Sequence, residues 1–252
     1  MESAPGATFP RFLPAGTGAL VVEFSDAVNE AANEAVLALD RAVGAAGIDG
    51  VIELVPTYRS LLVHFDPVRI GAQALRARLS ELLDAGAPAS APRRVWTIPV
   101  CYGGAFGMDL EWVADQRGLS AQELIALHSG SLLRVYMIGF APGFAYLGGL
   151  DPRLHTSRRV EPRLRTPPRS ISIGGAQSAV NPPFELPSGW HMLGQTPVRT
   201  YDPGRHDRPF LLEAGDLVRF RPVEPDEYEA LCAREEAGER VAVLDTPGAD
   251  GR

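Results

Sequence analysis

The sequence predicts an α+β protein built from two separately packed units, and three observations carry that prediction. Before Asp84, strand-like and helix-like periodicities alternate. A stretch of small residues follows, and beyond Leu132 short β-rich segments are divided by glycine and proline. The 252 residues exceed the usual size of one domain and suffice to bury a sizeable core. Hydrophobic residues at 45% and charged residues at 22% are ordinary for a globular chain, while 26 Gly and 22 Pro favour turns and short strands over a helical bundle.

Met1 to Pro10 reads as a loose leader, and Ala19 to Phe24 has the β-branched character of a strand. Asp26 is placed to cap a helix over Val28 to Val43, in which Val28, Ala32, Ala35, Val36 and Leu39 recur at helical spacing and Gly44 supplies the stop. Val51–Val55 and Ser60–Phe65 read as two strands about a turn at Pro56-Thr57-Tyr58. Asp66-Pro67 then opens a second helix with Ile70, Leu75, Leu79, Leu82 and Leu83 on one face. The order β-α-β-β-α is that of a ferredoxin-like unit.

Asp84 to Pro92 contains no large apolar side chain and reads as a linker. The expected domains are therefore residues 1–88, residues 93–225, and a C-terminal helix with a mobile tail over 226–252. The second unit opens with a strand at Val95–Val100, followed by short helices at Asp109–Arg117 and Ala121–His128. Leu132–Ile138, Ser170–Ile173, His191–Leu193, Val198–Tyr201 and Leu217–Phe220 are strand candidates, a pattern suited to a closed or nearly closed barrel.

Charge and cysteine content narrow the function. A net charge of -7 argues against nucleic acid as a partner, since phosphate backbones select basic faces. Cys101 and Cys232 share no short spacing with histidine, so neither a metal site nor a disulfide framework is indicated. Neither a leader with a basic and then an apolar segment nor a run of ~20 apolar residues is present, which makes a cytoplasmic protein with no membrane partner the expectation. The absence of a Gly-x-x-x-x-Gly-Lys-Ser/Thr pattern predicts that this chain binds no cofactor and no ATP through a P-loop.

Three glycine-bent segments, expected to converge at one mouth of the barrel, are the candidates for chemistry. In the first, Gly139, Phe140, Pro142, Gly143, Phe144 and Tyr146 describe an irregular loop whose aromatics either plug a barrel end or wall a small-ligand site. In the second, Ser170 begins a strand that ends in Gly174-Gly175 and is followed by Gln177; free amides there suit a carboxylate or a developing oxyanion, and a plain turn is the other reading. In the third, Trp190 and His191 follow Ser188-Gly189, and His191 either carries a proton or is structural. Arg158, Arg159, Arg163, Arg165 and Arg169, interleaved with prolines, lie on an extended segment and suit a small anionic substrate or an acidic partner surface. His191, Gln177 and Arg163 are the expected catalytic groups, with the remaining loop residues and Arg169 binding substrate.

The segments Gly139-Phe140-Ala141-Pro142-Gly143-Phe144-Ala145-Tyr146-Leu147-Gly148-Gly149-Leu150-Asp151, Gly174-Gly175-Ala176-Gln177 and Gly189-Trp190-His191 occur together and in order. Phe12 to Gly16, Tyr58 to Val63 and Ile98 to Gly104 accompany them. On these the chain resembles, from about Phe12 to Pro222, the family of the bacterial 5-oxoprolinase B subunit, which is also described as allophanate hydrolase subunit 1, and a related inhibitor of a sporulation histidine kinase. The resemblance implies a ferredoxin-like domain followed by a cyclophilin-like β-barrel, and a permanent complex with a homologue of the 5-oxoprolinase C subunit. With a large ATP-using A subunit, that assembly opens 5-oxo-L-proline to L-glutamate; kinase inhibition, or an allophanate hydrolase or urea-carboxylase role on another amide, are the alternatives. The pattern departs from the family at Arg169, which stands where relatives have glycine, at Asn181, and at Ser188. These departures leave a changed substrate or a regulatory role open.

Overall fold

The chain's first regular element is a strand that hydropathy alone did not mark. In the computed structural model, which describes residues 8–86 and 93–245, β1 (Arg11–Pro14) lies antiparallel to β2 (Ala19–Glu23), with Phe12 opposite Val22. The start of the predicted leader, most of the predicted linker and the end of the predicted tail fall outside the described residues. The chain divides into two compact units, Met1–Ala91 and Pro92–Arg252.

In the first unit β2 leads into α1 (Glu30–Ala46), then β3 (Val51–Pro56), β4 (Ser60–Phe65) and α2 (Ala72–Asp84). The helix predicted from Asp26 starts later because Asn29, not Asp26, accepts the Ala32 N–H, at 2.8 Å. It also runs through Gly44 and stops at Gly47, whose φ of 53° is the left-handed turn that ends a helix. Asp66 folds a turn by accepting the Val68 N–H at 2.9 Å, so α2 begins after it. The sheet order is β1-β2-β4-β3, antiparallel throughout. The sixth element of the ferredoxin-like pattern is therefore taken from the N-terminal side of the chain. Val22, Val36, Leu61, Val63, Leu75 and Leu79 form the core of this unit. Each fully buried aliphatic side chain of this kind is worth about 1.5–3 kcal/mol. Glu23, buried at the end of β2, accepts from both Arg11 and Arg59, and Arg59 also donates to the Ser25 carbonyl.

The second unit contains β5 (Val95–Tyr102), α3 (Leu110–Arg117), α4 (Ala121–Gly130), β6 (Leu133–Ile138), β7 (Ala145–Gly148) and a single 3-10 turn at Pro152–Leu154. It continues with β8 (Arg163–Thr166), β9 (Ser170–Gly174), β10 (Gln177–Val180), β11 (Leu186–Ser188), β12 (His191–Gln195), β13 (Leu217–Pro222), α5 (Pro225–Glu236) and β14 (Val243–Asp245). Ser120 and Glu123 form a reciprocal capping box at the start of α4. Seven strands close in the order β12-β9-β10-β7-β6-β13-β5, since β5 pairs back onto β12 through Gly194 opposite Tyr102. β8 and β11 form a separate ribbon.

Three expectations are corrected. Val198–Tyr201 is not a strand: Tyr201 makes one isolated bridge to Phe210. The irregular loop ends at Phe144, because β7 pairs with both β6 and β10. Residues after 225 include β14, which adds to β5 outside the ring, with Leu244 opposite Trp96.

The barrel is filled. Ile98, Val100, Leu133, Val135, Leu147, Ile171, Ile173 and Val218 belong to one buried cluster with Leu124 of α4. His128, also on α4, reaches strands on different sides of the ring. Its Nδ1 lies 2.8 Å from the Tyr102 hydroxyl, its Nε2 2.9 Å from Ser178 Oγ, and its ring stacks on Phe220 with centroids 4.9 Å apart. Ser178 donates its hydroxyl proton to the Ser172 carbonyl, at 3.1 Å. Its oxygen therefore accepts from Nε2–H, and Nδ1 accepts from Tyr102. Every member of the chain is satisfied only with His128 neutral. Burial agrees, pushing its pKa down to about 3 and that of the Tyr102 phenol up.

A stability prediction follows from that depressed pKa. In the unfolded chain the imidazole takes a proton below about pH 6.5, whereas the native ring stays neutral, so stability falls as pH is lowered. Urea midpoints should decline between about pH 6.5 and 4.5, above the main carboxylate titrations. Replacing His128→Gln should flatten that slope, and an unchanged slope would show that His128 is not its source.

Candidate functional site

Strand register settles where the three glycine-bent segments lie. β10 pairs Val180 with Ala145 of β7 and Ile171 of β9, and pairs Gln177 with Gly174. The Gly139–Phe144 loop is thus at one rim, beside Arg169, Ser170 and Asn181. The Gly174–Gln177 turn is at the other, where His191 pairs with Ile173. The segments do not share one mouth.

At the first rim the chain is tightly folded. Gly139 N–H donates to the Phe144 carbonyl at 3.1 Å, Phe140 is exposed with φ 71°, and Gly143 packs against Thr200 and Tyr201. Arg169 adopts φ 59°, unusual for a side-chain-bearing residue. Its N–H donates to the Pro182 carbonyl at 2.8 Å, its carbonyl accepts from Thr196 at 2.9 Å, and Nη1 donates to the Pro197 carbonyl at 3.1 Å. Ser170 is fully buried, its hydroxyl on the Pro167 carbonyl at 2.7 Å.

The aromatics of the first loop do meet the third segment, but through side chains on the outer face of the wall. Phe144, Tyr146 and Trp190 pack with Ala179 and Met192, and ring centroids are 4.7 Å apart for Phe144–Tyr146 and 5.9 Å for Tyr146–Trp190. The residues beside them in sequence, Ala145, Leu147, Val180 and Leu193, point into the barrel. Gly174 is required here: a Cβ would lie 2.7 Å from the Trp190 indole. Burial raises the Tyr146 pKa, partly offset by the Arg158 charge.

The second rim carries a groove. Residues 155–161 cross the Gly174–Gln177 turn and are stitched down along their length. Thr156 and Gly175 exchange backbone hydrogen bonds of 3.1 and 2.7 Å, Arg159 N–H donates to the Gly189 carbonyl at 2.7 Å, and His191 Nε2 donates to the Ser157 carbonyl at 2.9 Å. The Gly175 amide, expected to be free for an oxyanion, is therefore occupied. Between this segment and α3 lies a cavity of about 610 Å³, bordered by Trp112, Gln116 and Arg117 of α3, by residues 156–161 and by His191. Trp112 and Gln116 share a helix face by their i, i+4 spacing. The Trp112 indole stacks on the His191 ring, with centroids 4.7 Å apart at 15°. Nε2 bears a hydrogen, since a carbonyl can only accept, and Nδ1 is buried without a partner among the described residues. Arg158 sits over the Trp190 ring, 5.7 Å from its centroid.

Beneath the groove is Asp109, a residue that sequence reasoning did not single out. Its carboxylate accepts from Arg163 at 2.8 and 2.7 Å, from Arg159 at 3.3 Å and from the Met192 N–H at 2.8 Å. Burial opposes its ionisation, but the Arg163 hydrogen bonds, the Met192 N–H and the two arginine charges outweigh burial and hold its pKa low. Arg163, expected to be catalytic, is thus committed to a structural pair. The only sequence signal for Asp109 was its place before α3, where it looks like a cap, yet it makes no side-chain capping bond. Among the described residues, no group of three or more His, Cys, Asp or Glu is arranged to hold a metal ion. No described helix is long and apolar enough to cross a membrane.

A substitution tests the Asp109 arrangement. Asp109→Ala leaves Arg163 half-buried without its carboxylate and orphans the Met192 amide, and should cost roughly 2–4 kcal/mol of unfolding free energy. Denaturant titration reads it; a cost within about 0.5 kcal/mol would show the pair to be dispensable.

Comparison with known proteins adds to this geometry. A family profile described as carboxyltransferase domain, subdomain C and D, matches residues 10–212. The chain is 35% identical over 229 residues to the 5-oxoprolinase B subunit of Bacillus subtilis (strain 168), covering 85% of this chain and 93% of that one. It is 38% identical over 218 residues to the 5-oxoprolinase B subunit of Escherichia coli O157:H7, covering 86% and 96%. In structure it matches the Kluyveromyces lactis urea carboxylase with a TM-score of 0.80 at 18% identity, over 96% of this chain and 24% of that one. The last likeness is one of fold, and the present chain spans about a quarter of that larger protein.

Proposed function

Because the chain belongs to the carboxyltransferase-domain family of subdomains C and D, we propose that it is the B subunit of an ATP-dependent 5-oxoprolinase, opening 5-oxo-L-proline to L-glutamate together with the A and C subunits. The observation that carries this reading is the near-complete alignment with two relatives that bear the name of the 5-oxoprolinase B subunit. In it the chain is cytoplasmic and non-autonomous. ATP is used by the A subunit, while this chain supplies binding surface for a small anionic substrate and binds no cofactor.

The chemistry of the site is compatible with a share in the reaction. Lactam opening converts a planar amide carbon into a tetrahedral one whose oxygen carries charge, and cationic side chains lining a groove stabilise such charge. His191 is the one expected catalytic group that borders the groove. Gln177 lies on the adjoining β10, and Arg163 acts at one remove by holding Asp109. A second reading, action on another amide or a urea-derived substrate, draws on the barrel shared with urea carboxylase.

Reconstitution decides between them. Mixed with the A and C subunits, the chain should release glutamate from 5-oxoproline only when ATP and all three polypeptides are present. If the same two partners are active with the Bacillus subtilis relative and inactive with this chain, the 5-oxoprolinase reading fails. Turnover of a urea-derived amide in that assembly would then favour the second.

A further inference from the structure

We propose that the groove between α3 and residues 155–161 is a binding site for a small planar carboxylate, clamped by Arg117 and Arg158 against the Trp112 indole. Its volume, about 610 Å³, falls in the range of small-molecule sites. The fit of a planar anion rests on three features of the lining.

The first is unbalanced positive charge. Arg117, Arg158 and Arg159 line the groove against Glu161 alone. Of these, Arg159 is answered by Asp109 from beneath. Arg117 donates through Nε to the neutral Arg153 carbonyl at 2.9 Å, and Arg158 lies over an indole. Neither has a carboxylate partner among the described residues.

The second is the geometry of the donors. The sequence contains no lysine, so all 24 of its basic residues are arginines. A guanidinium presents paired N–H groups in a fixed plane that match the two oxygens of a carboxylate. The third is a flat apolar wall: Trp112 is 49% exposed although His191 covers one face of its ring, so an accessible aromatic surface borders the cavity. Such a surface favours a ligand that is planar as well as anionic.

The groove is also pre-formed. Backbone bonds to Gly175 and Gly189 and the His191–Ser157 bond hold the crossing segment, so little ordering is left for a ligand to impose.

Only the identity of the carboxylate rests on the proposed function, in which 5-oxoproline, a ring bearing a carboxylate, is the ligand. Calorimetric titration of the purified full chain tests the site with three probes: 5-oxoproline, its carboxamide, and benzoate as a planar carboxylate without a lactam. Binding of 5-oxoproline is expected. It should weaken about tenfold or more in Arg158→Gln, Arg117→Gln and Trp112→Ala, and in the carboxamide probe. Circular dichroism confirms that each variant is folded. If benzoate binds with the same dependence on these three residues while 5-oxoproline does not, the groove is a carboxylate site and the assignment of 5-oxoproline to it is overturned, whereas the 5-oxoprolinase reading itself falls only if the reconstituted assembly is inactive. If neither carboxylate binds at millimolar concentration, or if binding is indifferent to all three substitutions, the groove proposal itself falls.

Discussion

A single buried carboxylate organises the functional end of the second unit. Asp109 is 4% exposed, and an uncompensated charge at that depth is not tolerated, so the chain must bring cations and donors to it. It draws Arg163 from the β8 ribbon, Arg159 from the crossing segment and the Met192 amide from β12. Three stretches of sequence that are far apart along the chain, around residues 109, 159–163 and 192, are fixed to one another by this requirement. The residue after Arg158 is anchored below, which turns Arg158 outward over Trp190. Met192 is anchored next to His191, which sets the ring that Trp112 stacks upon. The groove is a consequence of that anchoring.

The barrel interior imposes the complementary constraint. Aliphatic side chains and the neutral His128 fill it, and the Tyr102–His128–Ser178 chain leaves none of its donor hydrogens free. A ligand inside would have to displace well-packed groups, each contributing on the order of 1 kcal/mol or more. Small-molecule function is thereby moved to the outer wall, where Gly174 lets the Trp190 indole rest against the backbone and the crossing segment covers the strand ends.

Much of this was legible in the sequence, and the failures have physical causes. The first unit's β-α-β-β-α order followed from periodicity, but β1 did not, because four residues ending in proline carry too little alternation to mark a strand. The β-rich character of the second unit was plain, whereas β7 and β10 were hidden by the glycines at their ends. Val198–Tyr201 looked like a strand by composition and is held instead by packing against the Gly143 loop. Of the residues that border the groove, His191, Arg158 and Arg159 were singled out by residue type. Asp109 and Trp112 were not, since an acid before a helix and a tryptophan within one both have common structural roles, and only tertiary contacts reveal otherwise.

The same geometry bears on Arg169, Asn181 and Ser188, the positions expected from the sequence to depart from the family pattern. Arg169 holds a left-handed backbone position, a strain on the order of 1 kcal/mol. It is offset by two backbone hydrogen bonds and by the guanidinium's bond to Pro197. That side chain is at the rim opposite the groove, as is Asn181, so neither alters the arginine pair or the indole wall. Ser188 is the departure nearest the groove, and its hydroxyl accepts the Trp190 N–H at 3.0 Å, holding the ring on which Arg158 rests. Arg169 and Asn181 therefore belong to the far rim, and Ser188 braces the near one. A change of ligand driven by Arg169 or Asn181 would have to act at the Gly139–Phe144 rim, and only Ser188 is placed to act on the groove, through Trp190 and Arg158.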